Sequence, residues 1–207
     1  MKIKKITAYP FEMKLAEPYT IAYETVSSTT NVFIVLETND GVMGYGCAAP
    51  DLEVTGESAV SVLLDCDKHI APMLTGVDPT RYIYQLEKLK AVLQNSPSAM
   101  AMVDMALYDI LGKIAGLPVY KLLGGFRDRM KTSITNGILP VKETVARAKG
   151  FIKDGFKVLK IKGGKNVDLD VERLFAIREK MGSRFQLRFD ANQGYTSEQT
   201  LKFVKAV

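Results

Sequence analysis

The 207-residue chain has one histidine and two cysteines, and each scarcity closes off a class of chemistry. His69, in Lys68-His69-Ile70-Ala71-Pro72, has no second imidazole to join it and reads as a structural residue near a helix end. Cys47 and Cys66 follow no metal or redox spacing, and a disulfide framework would need more cysteines in so long a chain. Reduced thiols and a cytoplasmic location are the expectation. No apolar run is long enough to span a bilayer, and the first thirty residues lack the apolar core and cleavage site of a signal peptide, so no membrane partner is expected. A long basic stripe is missing too. The formal net charge is +5, but lysines and acids interleave. The one basic cluster, Lys2 with Lys4 and Lys5, alternates with Ile3 and Ile6 as a strand with a solvated face would. Nucleic acid would want a longer stripe with aromatics or a recognisable motif, and it is excluded as a partner.

What is present is ordinary globular composition, 47% hydrophobic and 25% charged, enough for one large or two modest domains. Strand signals run from Ile3 to Phe11, from Asn31 to Thr38 and from Val42 to Gly46, with Asn39-Asp40-Gly41 as a tight hairpin turn. Between the first two lies Ala16 to Thr30, which reads as a polar loop of the kind that carries binding residues. Helical periods follow over Glu57 to Ile70, Thr80 to Gln94 and Pro97 to Ala115. Strands and helices segregated this way indicate an α+β domain over residues 1–125. From 126 to 207 strand and helix alternate: Met130 to Ile138, Val141 to Asp154, Phe156 to Lys162, Val167 to Met181, Phe185 to Asp190, and a helix from Ser197. These are three parallel βα units, too few to close an eight-stranded barrel, so an incomplete barrel or an open sheet is expected.

Two stretches carry the chemistry. In the strand Lys157 to Lys162, alternation puts Lys160 and Lys162 on one face and Leu159 and Ile161 on the other. Neighbouring ammonium groups disfavour each other's protonation, which suits one of them to act as a base near neutral pH. In Gln186 to Asp190 the same parity sets Arg188 and Asp190 on one face, and Asp190 ends the strand just before Ala191-Asn192-Gln193-Gly194. A carboxylate there could ligate a hard cation. Gly163-Gly164, lacking a first-strand dinucleotide fingerprint, reads as a tight turn.

Taken with Met105-Ala106-Leu107-Tyr108-Asp109-Ile110, Gly116-Leu117-Pro118-Val119-Tyr120 and Leu123-Gly124-Gly125, these motifs resemble the enolase superfamily over all 207 residues. Within it they are similar to the muconate-lactonizing subgroup and its dipeptide epimerases, including the L-Ala-D/L-Glu epimerases. The resemblance implies an isomerase that removes the proton α to a carboxylate, with Mg²⁺ stabilising the enediolate. It implies Lys162 as the base, Lys160 as its electrostatic helper, and Asp190 as the first of three metal carboxylates. Thr135 and Asn192 would line the pocket, and Tyr19, Glu24 and Val54 would select the substrate's side chains.

Two departures shape the expectation. The resemblance implies that members acting on Ala-Glu generally carry an arginine where this chain has Glu24, so a dipeptide with a cationic or neutral residue is expected instead. The family's other metal carboxylates and its opposing lysine belong to later strands, so the 207-residue chain alone is expected to be inactive. The alternatives are a cycloisomerase, an N-acylamino acid racemase or o-succinylbenzoate synthase, or a non-catalytic fragment that associates through its exposed edges. A homo-oligomer is expected.

Overall fold

Alternating Lys and Ile residues open an extended strand, and in the computed structural model, which describes residues 1–207, it runs much further than its polar second half suggests. β1 (Ile3–Thr20), β2 (Thr25–Thr38) and β3 (Met43–Ala48) form a sheet in that order. The polar loop expected from Ala16 to Thr30 is corrected to a long hairpin whose turn is only Ile21 to Glu24, closed by the Ile21 N–H donating to the Glu24 carbonyl at 2.9 Å. The physical reason is β-branching. Thr25-Val26-Ser27-Ser28-Thr29-Thr30 is polar, but its Thr and Val side chains favour extended backbone, and the Thr20 and Thr25 hydroxyls hydrogen-bond at 2.9 Å. The lysines near the N-terminus are exposed as expected, and Lys4 pairs with Glu37 at 2.8 Å.

The chain divides into two compact units, one of residues 1–13 and 29–128, the other of residues 14–28 and 129–207. In the first, α1 (Ala59–Asp65), a π-helical turn Cys66–Ile70 and α2 (Ala71–Leu74) replace the single helix expected over Glu57 to Ile70. Pro72 has no N–H to return to the preceding turn, and the ladder widens just ahead of it. His69 lies in the last turn of the π-helical segment, from which the helical run continues into α2. A short 3₁₀ turn, Pro79–Arg81, leads into α3 (Tyr82–Lys90), which is followed by α4 (Pro97–Ala115) and α5 (Val119–Leu122). α4 is the spine of the unit: Met102, Val103, Ala106, Leu107 and Ile110 recur at helical spacing and are fully buried. β3 lies directly on it because Gly44 and Gly46 have no Cβ. A side chain at either would meet the backbone of Ala106 or Met102.

The N-terminus of α4 is capped from a distance. Ser96, at the N-cap position, makes no side-chain cap bond, and the buried Glu57 carboxylate instead accepts from the N–H groups of Ser98 at 2.9 Å and Ala99 at 3.2 Å. Truncation would leave two helix-terminal donors buried without acceptors. Glu57→Ala is expected to cost about 2 kcal/mol, read as a lowered urea midpoint, and Glu57→Gln less. An unchanged midpoint would show that α4 is capped otherwise.

The second unit contains β4 (Ser133–Asn136), α6 (Val141–Lys153), β5 (Val158–Lys162), α7 (Val167–Met181), β6 (Gln186–Asp190) and α8 (Ser197–Ala206). The strands are parallel in the order β4-β5-β6, as expected for three βα units of an incomplete barrel. β4 is shorter than the expected Met130 to Ile138. Leu159 and Ile161 point into the core with Ala148, Leu174, Ile177, Phe185 and Phe203, which leaves Lys160 and Lys162 on the opposite face. No helix is long and apolar enough to cross a membrane.

Candidate active site

The parallel register sets Lys162 beside Asp190, Lys160 beside Arg188, and Thr135 beside Lys160. Thr135, Lys160, Lys162, Arg188 and Asp190, from three adjacent strands, thus share one face. Asp190 Oδ2 accepts from Lys160 Nζ at 2.7 Å and from Lys162 Nζ at 3.0 Å, so the two ammonium groups share one oxygen and its charge offsets their repulsion. Lys162 also donates to Asn192 Oδ1 at 2.8 Å and is only 9% exposed. Burial opposes ionisation of Asp190, but the Lys160 ammonium, the Asn192 backbone N–H at 2.9 Å and Lys162 outweigh it and hold the carboxyl well below the usual carboxylate range.

A carboxyl whose pKa is lower folded than unfolded stabilises the fold fully above its unfolded value, about 3.9, and loses that contribution as pH falls toward the folded value. With a chelator present, the urea midpoint of the second unit is therefore expected to fall below about pH 4. Asp190→Asn should reduce that fall. An identical acid limb in the variant would show that other carboxylates produce it.

The loop after β6 is held in an uncommon shape. Asn192 and Gln193 have φ of 48° and 58°, a left-handed region that costs non-glycine residues energy and is retained mostly at functional sites. The bend turns the Asn192 amide oxygen toward Lys162. Opposite it Gly164 has φ of 106° and lies against the Ala191 carbonyl, a close approach that a side chain would block.

Residues 4–124 match the mandelate racemase / muconate lactonizing enzyme N-terminal domain, and residues 143–207 match the enolase C-terminal domain-like family. The chain belongs to the mandelate racemase / muconate lactonizing enzyme family. Among relatives of this family member, the L-Lys-D/L-Arg epimerase of Desulforapulum autotrophicum is 44% identical over 205 residues, covering 99% of this chain and 58% of the relative. The L-Ala-D/L-Glu epimerase of Bacillus subtilis, solved with substrate, superposes with a TM-score of 0.95 at 34% identity, covering 99% of this chain and 57% of that one. The dipeptide epimerase of Methylococcus capsulatus, complexed with Mg and L-Arg-D-Lys, superposes with a TM-score of 0.92 at 34% identity, covering 99% and 58%. The chain spans less than two thirds of the length of these relatives.

In this family member the hairpin turn belongs to the unit that holds the lysines. The Ile138 N–H donates to the Thr20 carbonyl at 2.8 Å, Gly137 abuts Tyr19 and Thr20, and Ala22 packs on Gly164. Tyr19 is thereby set against Gly137, just past the end of β4, and Ala22 against Gly164, just past the end of β5, while Glu24 closes the same turn. Glu17 pairs with Arg147 of α6, whereas the Glu24 carboxylate is exposed and makes no hydrogen bond or ion pair. Val54 lies in the first unit, 63% exposed, in a turn where its N–H donates to Asp51. Three functional residues carry no local signal: the buried Asp170 and Arg173 and the half-buried Tyr195, which cluster against the Gly163-Gly164 turn. Asp170-x-x-Arg173 reads as a surface pair on a helix, and no local signal distinguishes the two.

For a hard cation the chain offers little by itself. Asp190 is its one carboxylate at the strand ends, its Oδ2 is engaged by two lysines, and no group of three His, Cys, Asp or Glu residues is placed to hold a metal. Mg²⁺ takes near-octahedral oxygen coordination. The residues present do not fit it unaided.

Proposed function

We propose that this chain supplies the capping residues and the first catalytic lysine of a dipeptide epimerase that works by removing the proton α to a carboxylate. The observation that carries this reading is the convergence of Lys160, Lys162, Asp190 and Asn192 at the ends of two adjacent parallel strands. As a neutral amine, Lys162 can donate one N–H to Asp190 and one to Asn192, which leaves its lone pair in the remaining tetrahedral direction to accept a proton. The substrate's C–H bond breaks, the N–H bond forms, and the C–H electron pair moves into the adjoining carboxylate as an enediolate. Lys160, two residues back on the same face, supplies positive charge toward the oxygens that gain it. Return of a proton on the other face of the carbon would complete epimerisation. That step needs a second acid that these residues do not provide.

Magnesium accompanies the dipeptide in the Methylococcus capsulatus relative. For this protein Asp190 is proposed as one ligand among several, the others coming from outside the 207 residues, and activity is accordingly proposed for the complete protein only. The substrate is proposed to carry a cationic side chain. The unpaired carboxylate of Glu24 favours one, and the 44% identical relative is an L-Lys-D/L-Arg epimerase.

The test is incubation of the full-length protein and of the 207-residue chain with Mg²⁺ and a dipeptide set in D₂O. Mass gain at an α-carbon of Lys- and Arg-containing dipeptides by the full-length protein alone is the expected result. Gain across anionic dipeptides only would refute the substrate class, and turnover by the short chain would refute the need for further residues.

A further inference from the structure

A single buried carboxylate ties together the three loops that follow β4, β5 and β6. Asp170, in the first turn of α7, is 1% exposed and accepts from three donors. The Gly164 N–H, in the loop after β5, reaches its Oδ2 at 2.9 Å, and the Tyr195 hydroxyl, in the loop after β6, reaches the same oxygen at 2.5 Å. Arg173 Nη1 donates to Oδ1 at 2.5 Å, and the same guanidinium donates through Nε to the Leu139 carbonyl, in the loop after β4, at 2.6 Å. Gly163, the residue after Lys162, is pressed against the Asp170 carboxyl so closely that a side chain there would clash. Burial and the Asp170 hydrogen bond hold the Tyr195 phenol above its usual range, so it remains a donor at every working pH.

These connections start one residue past Lys162 and end three residues past Asn192. Just ahead of those points the Lys162 Nζ to Asn192 Oδ1 bond joins the last residue of β5 to the loop after β6, so the angle of that bond depends on how rigidly the two loops are joined. Asp170 is closed to solvent. We propose that Asp170, with Tyr195 and Arg173, is a positioning set that fixes the β5 and β6 loops to one another and so aims Lys162. The functional consequence rests on the epimerase reading above, whereas the loop anchor itself does not. The carboxylate's charge is compensated locally by Arg173, and its other acceptor sites are filled by donors from two loops, which is the full satisfaction that a buried charge requires.

Tyr195→Phe is the decisive variant in the full-length protein, because it deletes one hydrogen bond at nearly constant volume. Its kcat for α-proton exchange is expected to fall about tenfold, the low end for loss of an outer partner of a catalytic group, with KM within about twofold. The Gly164 and Gly194 amides should exchange about tenfold faster. Asp170→Asn, which breaks more bonds, should lower kcat further if it folds. Unchanged kcat in Tyr195→Phe would overturn the proposal whether or not exchange quickens, since a purely structural tie predicts that pattern. If the wild-type protein exchanges no α-proton on any dipeptide, the epimerase reading fails. The anchor is then read from the Lys162 ¹⁵Nζ resonance: a displaced signal in Tyr195→Phe supports it, and an identical one overturns it.

Discussion

Lys162→Met is expected to lower α-proton exchange by the full-length protein about a thousandfold, within the range contributed by a positioned general base. The side chain is only 11% exposed, so methionine preserves most of the packing while deleting the amine. What remains is a strand end at which Asp190 keeps the Lys160 ammonium and the Asn192 N–H. KM should change little, because the lost contact is made to a proton in flight rather than to the resting substrate. The measurement is deuterium incorporation at saturating dipeptide. A variant that retains a tenth of the wild-type rate would remove Lys162 from the role of base, and Lys160 would be the next candidate on that face.

Glu24→Arg is expected to reverse the charge preference of the pocket. For a dipeptide with a lysine or arginine side chain, kcat/KM should fall roughly 100-fold, since juxtaposed like charges cost several kcal/mol when water is excluded and less when it is not. An Ala-Glu substrate should gain by a comparable factor. Glu24 closes the turn between β1 and β2, and its exposed carboxylate has no partner to lose, so the change should leave folding intact. The check is a pair of kcat/KM values, for cationic and anionic dipeptides, at low and at high salt. If both substrates respond alike, the turn supplies shape rather than charge selection.

Much of this architecture is legible in residue order alone. The period-two run around Lys160 places two lysines on one face, and the structure keeps them there, because Leu159 and Ile161 have a core to enter and the lysines do not. The helical periods of α4 and α7 are equally plain, and Asn166 and Thr196 mark the starts of α7 and α8 by capping them as short polar residues do. Two kinds of information are not local. Ser- and Thr-rich sequence is ambiguous between loop and solvated strand, and the second half of β1 with the first half of β2 was resolved only by their pairing. Burial of a charge is the other. Asp170 and Glu57 look like surface acids because their partners, Tyr195 with Gly164 and the first turn of α4, lie 6 to 42 residues away in the chain.

The hairpin has a consequence for biosynthesis. Its turn is packed with residues of the second unit, while the strands on either side of it belong mainly to the first. More than a hundred residues separate Thr20 from Ile138, its hydrogen-bonded partner. On a ribosome that delivers the N-terminus first, the segment proposed to choose the substrate emerges long before the strand ends on which it comes to rest. Until then its threonines and Tyr19 must remain in water, and polar sequence there keeps the waiting segment from sticking to other nascent chains.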